Sequence, residues 1–283
     1  MRQKLVDEII RFVTETPANR LPDGSSPYFE TPLVGFAAAN DPQFGSYKKV
    51  IGEFHLTPQE LFAGEFGLEG RAGTVVSWIL PIAEHVRKSN RYQGDFPSRE
   101  WAQTRNFGEG FNSEVRRHVV GWLQENGYRA AAPQLSPQWK EFAETPKGRS
   151  STWSERHAAY AAGLGTFSLN DALITEKGIA HRCGSVVTDL VVAPSERQDR
   201  GYAWNCLYYR EGSCGACIGR CPVGAISFSG HDKVKCCEYV YGAVPGAVAE
   251  KYGVKATGCG LCQTRVPCEN WIPRGSGRGA EHG

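Results

Sequence analysis

Nine of the chain's ten cysteines lie between Cys206 and Cys268. Cys214, Cys217 and Cys221 read C-x2-C-x3-C and are followed at once by Pro222, with Cys206 eight residues upstream of Cys214. Cys236 and Cys237 come next, then Cys259-Gly-Leu-Cys262 and finally Cys268. Glycine and small residues on tight turns let neighbouring sulfurs point at one centre, and a Cys-Pro closing such a run is a mark of iron–sulfur ligation. Clusters held this way pass electrons one at a time. The chemistry expected of this chain is therefore redox.

In a two-cluster ferredoxin module each cysteine run gives three ligands to one cluster and one to the other, because the chain folds back with pseudo-symmetry. On that pattern Cys206, Cys214, Cys217 and Cys268 share one [4Fe-4S] cubane. Cys221, Cys236, Cys259 and Cys262 share the second, which leaves Cys183 and Cys237 spare. The pattern has two departures. A standard run would place a ligand at Glu211, where Cys206 substitutes from upstream, and the closing thiol follows Cys262 by six residues, so that Cys237 competes with Cys268. Zinc knuckles also use C-x2-C units. The Cys-Pro run, the Ala225-Ile226 after it and the interleaved halves favour iron.

The length, 283 residues, suits one large domain with a small one, or two medium ones. A formal net charge of +2 gives no basic excess for a nucleic-acid surface. The longest apolar stretch, Val75 to Ala83, is broken by Ser77 and Pro81 and is too short to span a bilayer. Met1 to Arg20 carries charges throughout, with neither a secretory h-region nor a twin-arginine motif. The cytoplasm is the expected location, and there ten cysteines serve as metal ligands rather than disulfides.

Around the cysteines, the elements that must position them follow from periodicity. Leu5, Ile9 and Val13 predict an amphipathic helix, and 17–27 a loop. Leu33 to Ala37 and Gly73 to Leu80 read as strands. Asn90 to Gly110 is polar and lacks clear periodicity; in it Trp101, Arg105, Phe107 and Phe111 either line a pocket or pack in the core. Val115, Val119, Trp122 and Leu123 mark a helix that Gly127 stops, and Tyr128 to Ala132 a strand. Thr152-Trp-Ser-Glu155 matches a capping box opening a helix that Gly163 ends. Val186 to Val192 is expected as a central strand. The fold class is α+β, with a domain over 1–200, a cluster domain over 201–272 and a mobile Gly-rich tail over 273–283.

Residues 153–192, WSERHAAYAAGLGTFSLNDALITEKGIAHRCGSVVTDLVV, resemble the segment that precedes the clusters in epoxyqueuosine reductases and corrinoid reductive dehalogenases. Cys214 to Ile226 and Gly258-Cys259-Gly-Leu-Cys262-Gln263 continue the likeness, with weaker echoes at Pro32 to Phe36 and Thr74 to Trp78. The resemblance implies a catalytic domain related to the flavin nitroreductase fold that binds cobalamin in place of flavin. A fused ferredoxin-like domain would face the corrin and draw electrons from ferredoxin or flavodoxin. The aspartic proton donor of the queuosine enzymes has no counterpart in Gly148-Arg-Ser-Ser-Thr-Trp-Ser154, and the guanidinium of Arg149 cannot give up a proton. The resemblance thus implies a paralogue acting on a different, small organic substrate.

Arg156, His157 and Tyr160 are the catalytic candidates, and the Tyr160 hydroxyl could deliver a proton, as a tyrosine does in the dehalogenases it resembles. The bland alternatives are a packed tyrosine and a surface histidine, with Glu155 completing the capping box. Gly163 and Gly165 would allow close approach of a bulky ligand. The third glycine of a dinucleotide motif would fall on Ser168, after a helix, which excludes a Rossmann turn. Asn170 and Asp171 would bond corrin amides or shape a turn. Cys183 is either an extra thiol at the cofactor or a small buried residue. The reading is a cobalamin-dependent iron–sulfur oxidoreductase. Its rivals are an electron-transfer or reductive-activation partner of another corrinoid protein, and a cobalamin-processing protein.

Overall fold

A computed structural model describes residues 1–197 and 200–275. Most of the expected tail, from residue 276 on, lies outside the described residues. Helix α1 (Arg2–Glu15) buries Leu5, Ile9 and Val13 along one stripe, as their spacing predicts. Strands β1 (Leu33–Ala38) and β2 (Thr74–Pro81) are separated by α2 (Pro42–Val50) and α3 (Pro58–Phe66). α4 (Glu84–Arg91) and α5 (Arg99–Glu125) follow.

The aperiodic stretch is a correction: most of it belongs to α5. Ser98 caps this helix, its Oγ accepting from the Trp101 amide at 3.1 Å. The apolar signal is diluted because the buried face carries Thr104, Gly108 and Asn112 beside Trp101 and Phe111. Gly108 is required there, since an added Cβ would lie 2.9 Å from the Phe29 ring. Gly127, at φ +86, ends the helix as expected.

Beyond α5 come β3 (Ala130–Ala131), the hairpin β4 (Glu141–Phe142) and β5 (Ser150–Ser151), α6 (Glu155–Ala161), the hairpin β6 (Gly165–Phe167) and β7 (Leu173–Thr175), and β8 (His181–Thr188). The main sheet has the order β1-β2-β8-β3, antiparallel at every step. β8 starts earlier and ends sooner than its β-branched run suggests. Its register with β2, from Pro81↔His181 to Thr74↔Thr188, sets its extent, and residues past Thr188 have no ladder partner on β2. Val76, Trp78 and Leu80 pack toward α1 and α5, while Val75 and Val187 face α2, α3 and α6. The sheet is thus sandwiched between two helical layers.

The cysteine-rich segment is built from short pieces: α7 (Leu207–Glu211), α8 (Ala216–Gly219), the hairpin β9 (Ile226–Ser227) and β10 (Gly230–His231), α9 (Lys233–Glu238), a π-helical turn over Tyr239–Ala243, and α10 (Val244–Tyr252). Its small core joins Cys206, Ile226 and Val266 to Leu169, Ala172, Ile174 and Ile179 from before residue 200. Polar anchors tie it to the sheet half. The buried Glu269 accepts from Arg91 at 2.7 Å, and Arg220 donates to the carbonyls of Gln93 and Asn90.

Candidate functional site: two thiol groups beside a charged cleft

Cys206, Cys214, Cys217 and Cys268 line one apolar cavity with Leu169, Ile179 and Val266. Burial, then the neighbouring Cys206 and Cys214, push the Cys217 thiol up to about 12. Burial and the thiols of Cys217, Cys206 and Cys214 also raise Cys268. A second group surrounds Cys259 and Cys262. Burial, followed by Cys236 and Cys221, lifts Cys259 to about 11, against hydrogen bonding from the Leu261 amide. Cys262 is raised well above its ordinary value by burial and then by Cys259, Cys236, Cys217 and Cys221. Among the described residues, no three His, Cys, Asp or Glu side chains converge on a point that could hold a single ion. The first four thiols ring a void instead.

Three cavities of about 380, 400 and 360 Å³ meet at the exposed Arg156. The first is charged, and lies between α5, α6, β8 and the turn carrying Tyr241. Through Arg105, His181, Arg182 and Gln263 it adjoins a smaller pocket whose wall includes Cys259. The second thiol group therefore opens toward this cleft.

Behind the cleft the fully buried Arg116 bridges two carboxylates, Glu109 at 3.0 Å and Glu155 at 3.1 Å. Arg182 donates to Glu109 through Nε and Nη2. Burial opposes ionisation of Glu109, but Arg182 and Arg116 outweigh it and hold its pKa at about 2. For Glu155 burial wins: its pKa is raised despite Arg116 and the Ser185 hydroxyl that donates to it. One environment thus separates the two carboxyl groups.

The capping box expected at Thr152 and Glu155 does not form, because both side chains are engaged elsewhere. Thr152 Oγ1 donates to the Gln138 carbonyl and accepts from the Lys140 amide, while Glu155 turns inward to Arg116. His157 is not a surface residue. Its Nδ1 meets Ser154 Oγ at 2.8 Å, its ring packs between Tyr47 and Phe167, and burial lowers its pKa to about 3. It is a neutral imidazole at physiological pH. His157 and Tyr160 share the 400 Å³ cavity with Tyr202 and Tyr209, and Arg156 donates from Nη1 to the Asp171 carbonyl.

The two glycines face the chain's own backbone. A Cβ on Gly163 would lie 2.5 Å from the Glu196 carbonyl, and one on Gly165 2.6 Å from that of Ile174. Asn170 is spent internally: it donates to the Cys262 carbonyl at 3.0 Å and accepts from Ser168 Oγ and the Ala172 amide. Asp171, at φ +61, pairs with His231 and Lys233 and lines two of the cavities. In the aromatic stretch both alternatives occur. Trp101 and Arg105 line the pocket beside Cys259, Phe111 is core, and Phe107 is exposed.

Sequence reasoning missed Glu109, Arg182 and Tyr241. No local spacing marks them, because Glu109 and Arg182 stand 73 positions apart. Glu141 was missed as well. It sits on β4 opposite Ser151, lines the cleft and pairs with Arg149. A carboxylate thus stands across the hairpin from the segment that itself has no acid.

A mixed helix-and-sheet domain with a charged cleft against a thiol-rich segment is the class these features define. The chain is similar in sequence to epoxyqueuosine reductases: it is 32% identical over 119 residues to that of Bacillus anthracis and 31% identical over 119 residues to that of Bacillus cereus. Each match covers 40% of this chain and 29% of the relative. An epoxyqueuosine reductase crystal structure shares the fold with a TM-score of 0.57 at 17% identity, over 95% of this chain and 65% of that one. A second, bound to an epoxyqueuosine-modified tRNA stem loop, gives 0.54 at 18% identity, over 94% and 66%. A B12-dependent reductive dehalogenase gives 0.53 at 18% identity, over 85% and 30%. No family model matches. Among the described residues no helix is long and apolar enough to cross a membrane.

Proposed function

We propose that the chain is an iron–sulfur reductase in which two [4Fe-4S] clusters relay electrons to a corrinoid in the cleft, where a small organic substrate is reduced. The observation that carries this reading is the adjacency of the second thiol group to the cleft at Cys259. Cys206, Cys214, Cys217 and Cys268 would hold the outer cluster, and Cys221, Cys236, Cys259 and Cys262 the inner one. A void ringed by thiols suits a cubane, whose ligands spread over four iron corners, better than one zinc, which draws its sulfurs to about 2.3 Å. The exposed aromatics Tyr202, Tyr209 and Phe228 lie around the outer group and offer a face for a ferredoxin or flavodoxin donor. Residues 1–200 would then form the nitroreductase-like domain and 201–272 the ferredoxin-like one.

Together the three cavities at Arg156 offer more room than any one of them. Ser154, Arg156, Asp171 and Lys233 supply donors and acceptors of the kind corrin amides need. When bound, the corrinoid would supply a strongly reducing, nucleophilic cobalt. Arg156 would orient it, Tyr160 would present a hydroxyl proton toward the cavity, and the neutral His157 would fix the helix that carries both. A small substrate is favoured over tRNA by the near-neutral net charge of +2 and by Arg149 in the segment where the queuosine enzymes have their acid.

The test is anaerobic reconstitution with iron, sulfide and hydroxocobalamin. About eight irons per chain, two cluster signals by electron paramagnetic resonance and a titanium-citrate-driven Co(I) spectrum are expected. Zinc in place of iron would sink the proposal. Clusters without any corrinoid affinity would favour an electron-transfer partner.

A further inference from the structure

We propose that the pocket between Arg105 and Arg182 is an anion site, and that the substrate carries a carboxylate or phosphate group seated there. Calling the occupant a substrate rests on the reductase reading; the site itself rests on the side chains. Glu109 serves both Arg182 and Arg116, and Glu155 serves Arg116. Among the described residues no carboxylate lies within ion-pair distance of Arg105, whose hydrogen-bond partner is the Tyr241 side chain. Arg105 and Arg182 line both the charged cavity and the pocket beside Cys259.

Arg105 is also held in place. Its stem packs on Gly258, where a Cβ would lie 3.1 Å from Arg105 Cγ, and Gly260 sits so close to the Trp101 ring that no side chain fits. The loop bearing Cys259 thus clamps the arginine at the cleft. Arg105 and Arg182 share the walls of both cavities, and the like charge of Arg182, followed by burial, lowers the Arg105 pKa against the opposing pull of Glu109. Among the described residues Glu109 is the one carboxylate that acts on Arg105, through space, and it is already paired with Arg116 and Arg182. The pocket therefore holds more positive than negative charge, and an oxyanion accepting from both forks would relieve it. An anionic group anchored there leaves the rest of the molecule in the cleft, within reach of the electrons.

The experiment titrates inorganic phosphate and benzoate into the reconstituted protein by calorimetry in low-chloride buffer, with tryptophan fluorescence as a second readout because Trp101 lines the pocket. Iron content and cluster resonance are measured on the same samples. Arg105→Gln should weaken both probes at least about tenfold, and Arg105→Lys should recover part of the loss. Failure of both probes to bind wild-type protein with intact clusters overturns the site, as does unchanged affinity in a folded Arg105→Gln. Displacement of phosphate by hydroxocobalamin but not by cobinamide, which lacks the phosphodiester, overturns the substrate assignment. Anion binding to protein that never takes up iron supports the site and sinks the reductase reading instead.

Discussion

Around the sheet, β2 buries every one of its residues, and Trp78, Phe36 and Leu80 vanish into a core shared with α1 and α5. Beyond residue 200 the buried apolar side chains are mostly small, such as Ala225, Ile226, Val244 and Val266, and the helices are short. Hydrophobic burial near 25 cal/mol per Å² sustains the first region. The second buries little apolar surface of its own and is tied down by polar anchors to α4 and α5, such as Glu269 to Arg91 and the Lys251 carbonyl to Arg99; on the proposed reading, thiol ligation would supply the rest of its order. The cleft lies where the two meet, with Arg182 and Cys183 on β8 facing Tyr241 and Gln263 of the second region.

The strongest way to break this comparison is to remove iron. Chelation should let residues 201–275 exchange amide hydrogens freely while β2 and β8 stay protected; equal protection in both would overturn it. Glu269→Gln should sharpen it at the seam. This carboxylate is 3% exposed and holds Arg91, so its loss should destabilise docking by about 3 kcal/mol, read from denaturant unfolding.

Glu109 gives a pH test of the sheet side. Its folded pKa of about 2 lies below its ordinary 4.5, so its contribution is present above pH 4.5 and lost as pH falls toward 2. That contribution is on the order of 3 kcal/mol, and Glu109→Gln should flatten this window in iron-free protein. Glu155 has the opposite sign, because its raised pKa favours the folded state at low pH and the benefit fades as pH rises through it. The smallest effect expected is about 1 kcal/mol for Ser98→Ala, measured by thermal unfolding, since it removes the capping bond at the start of α5 and a hydroxyl contact to Ser89, which keeps its bond to the Val86 carbonyl.

Where a feature is local, its residues announce it. The four-residue rhythm of Leu5, Ile9 and Val13 gives α1, the β-branched run gives β2, and Gly127 and Gly163 stop their helices with positive φ. Where a buried face mixes Thr104, Gly108 and Asn112 with aromatics, the rhythm is hidden and the start of α5 is missed. Glu155 misled for a related reason: its spacing from Thr152 satisfies a local rule, but Arg116, 39 positions away, gives it a stronger partner.

The cysteine spacings, the redox expectation and the strands of the sheet are written in the chain itself, because ligation runs and alternation depend on neighbours in sequence. The charged cleft, the separation of Glu109 from Glu155 and the placement of Arg105 beside Cys259 exist only in the folded molecule. Electrostatic partners are chosen by distance in space and by how much water is excluded, and neither quantity is encoded in the spacing of residues along the chain.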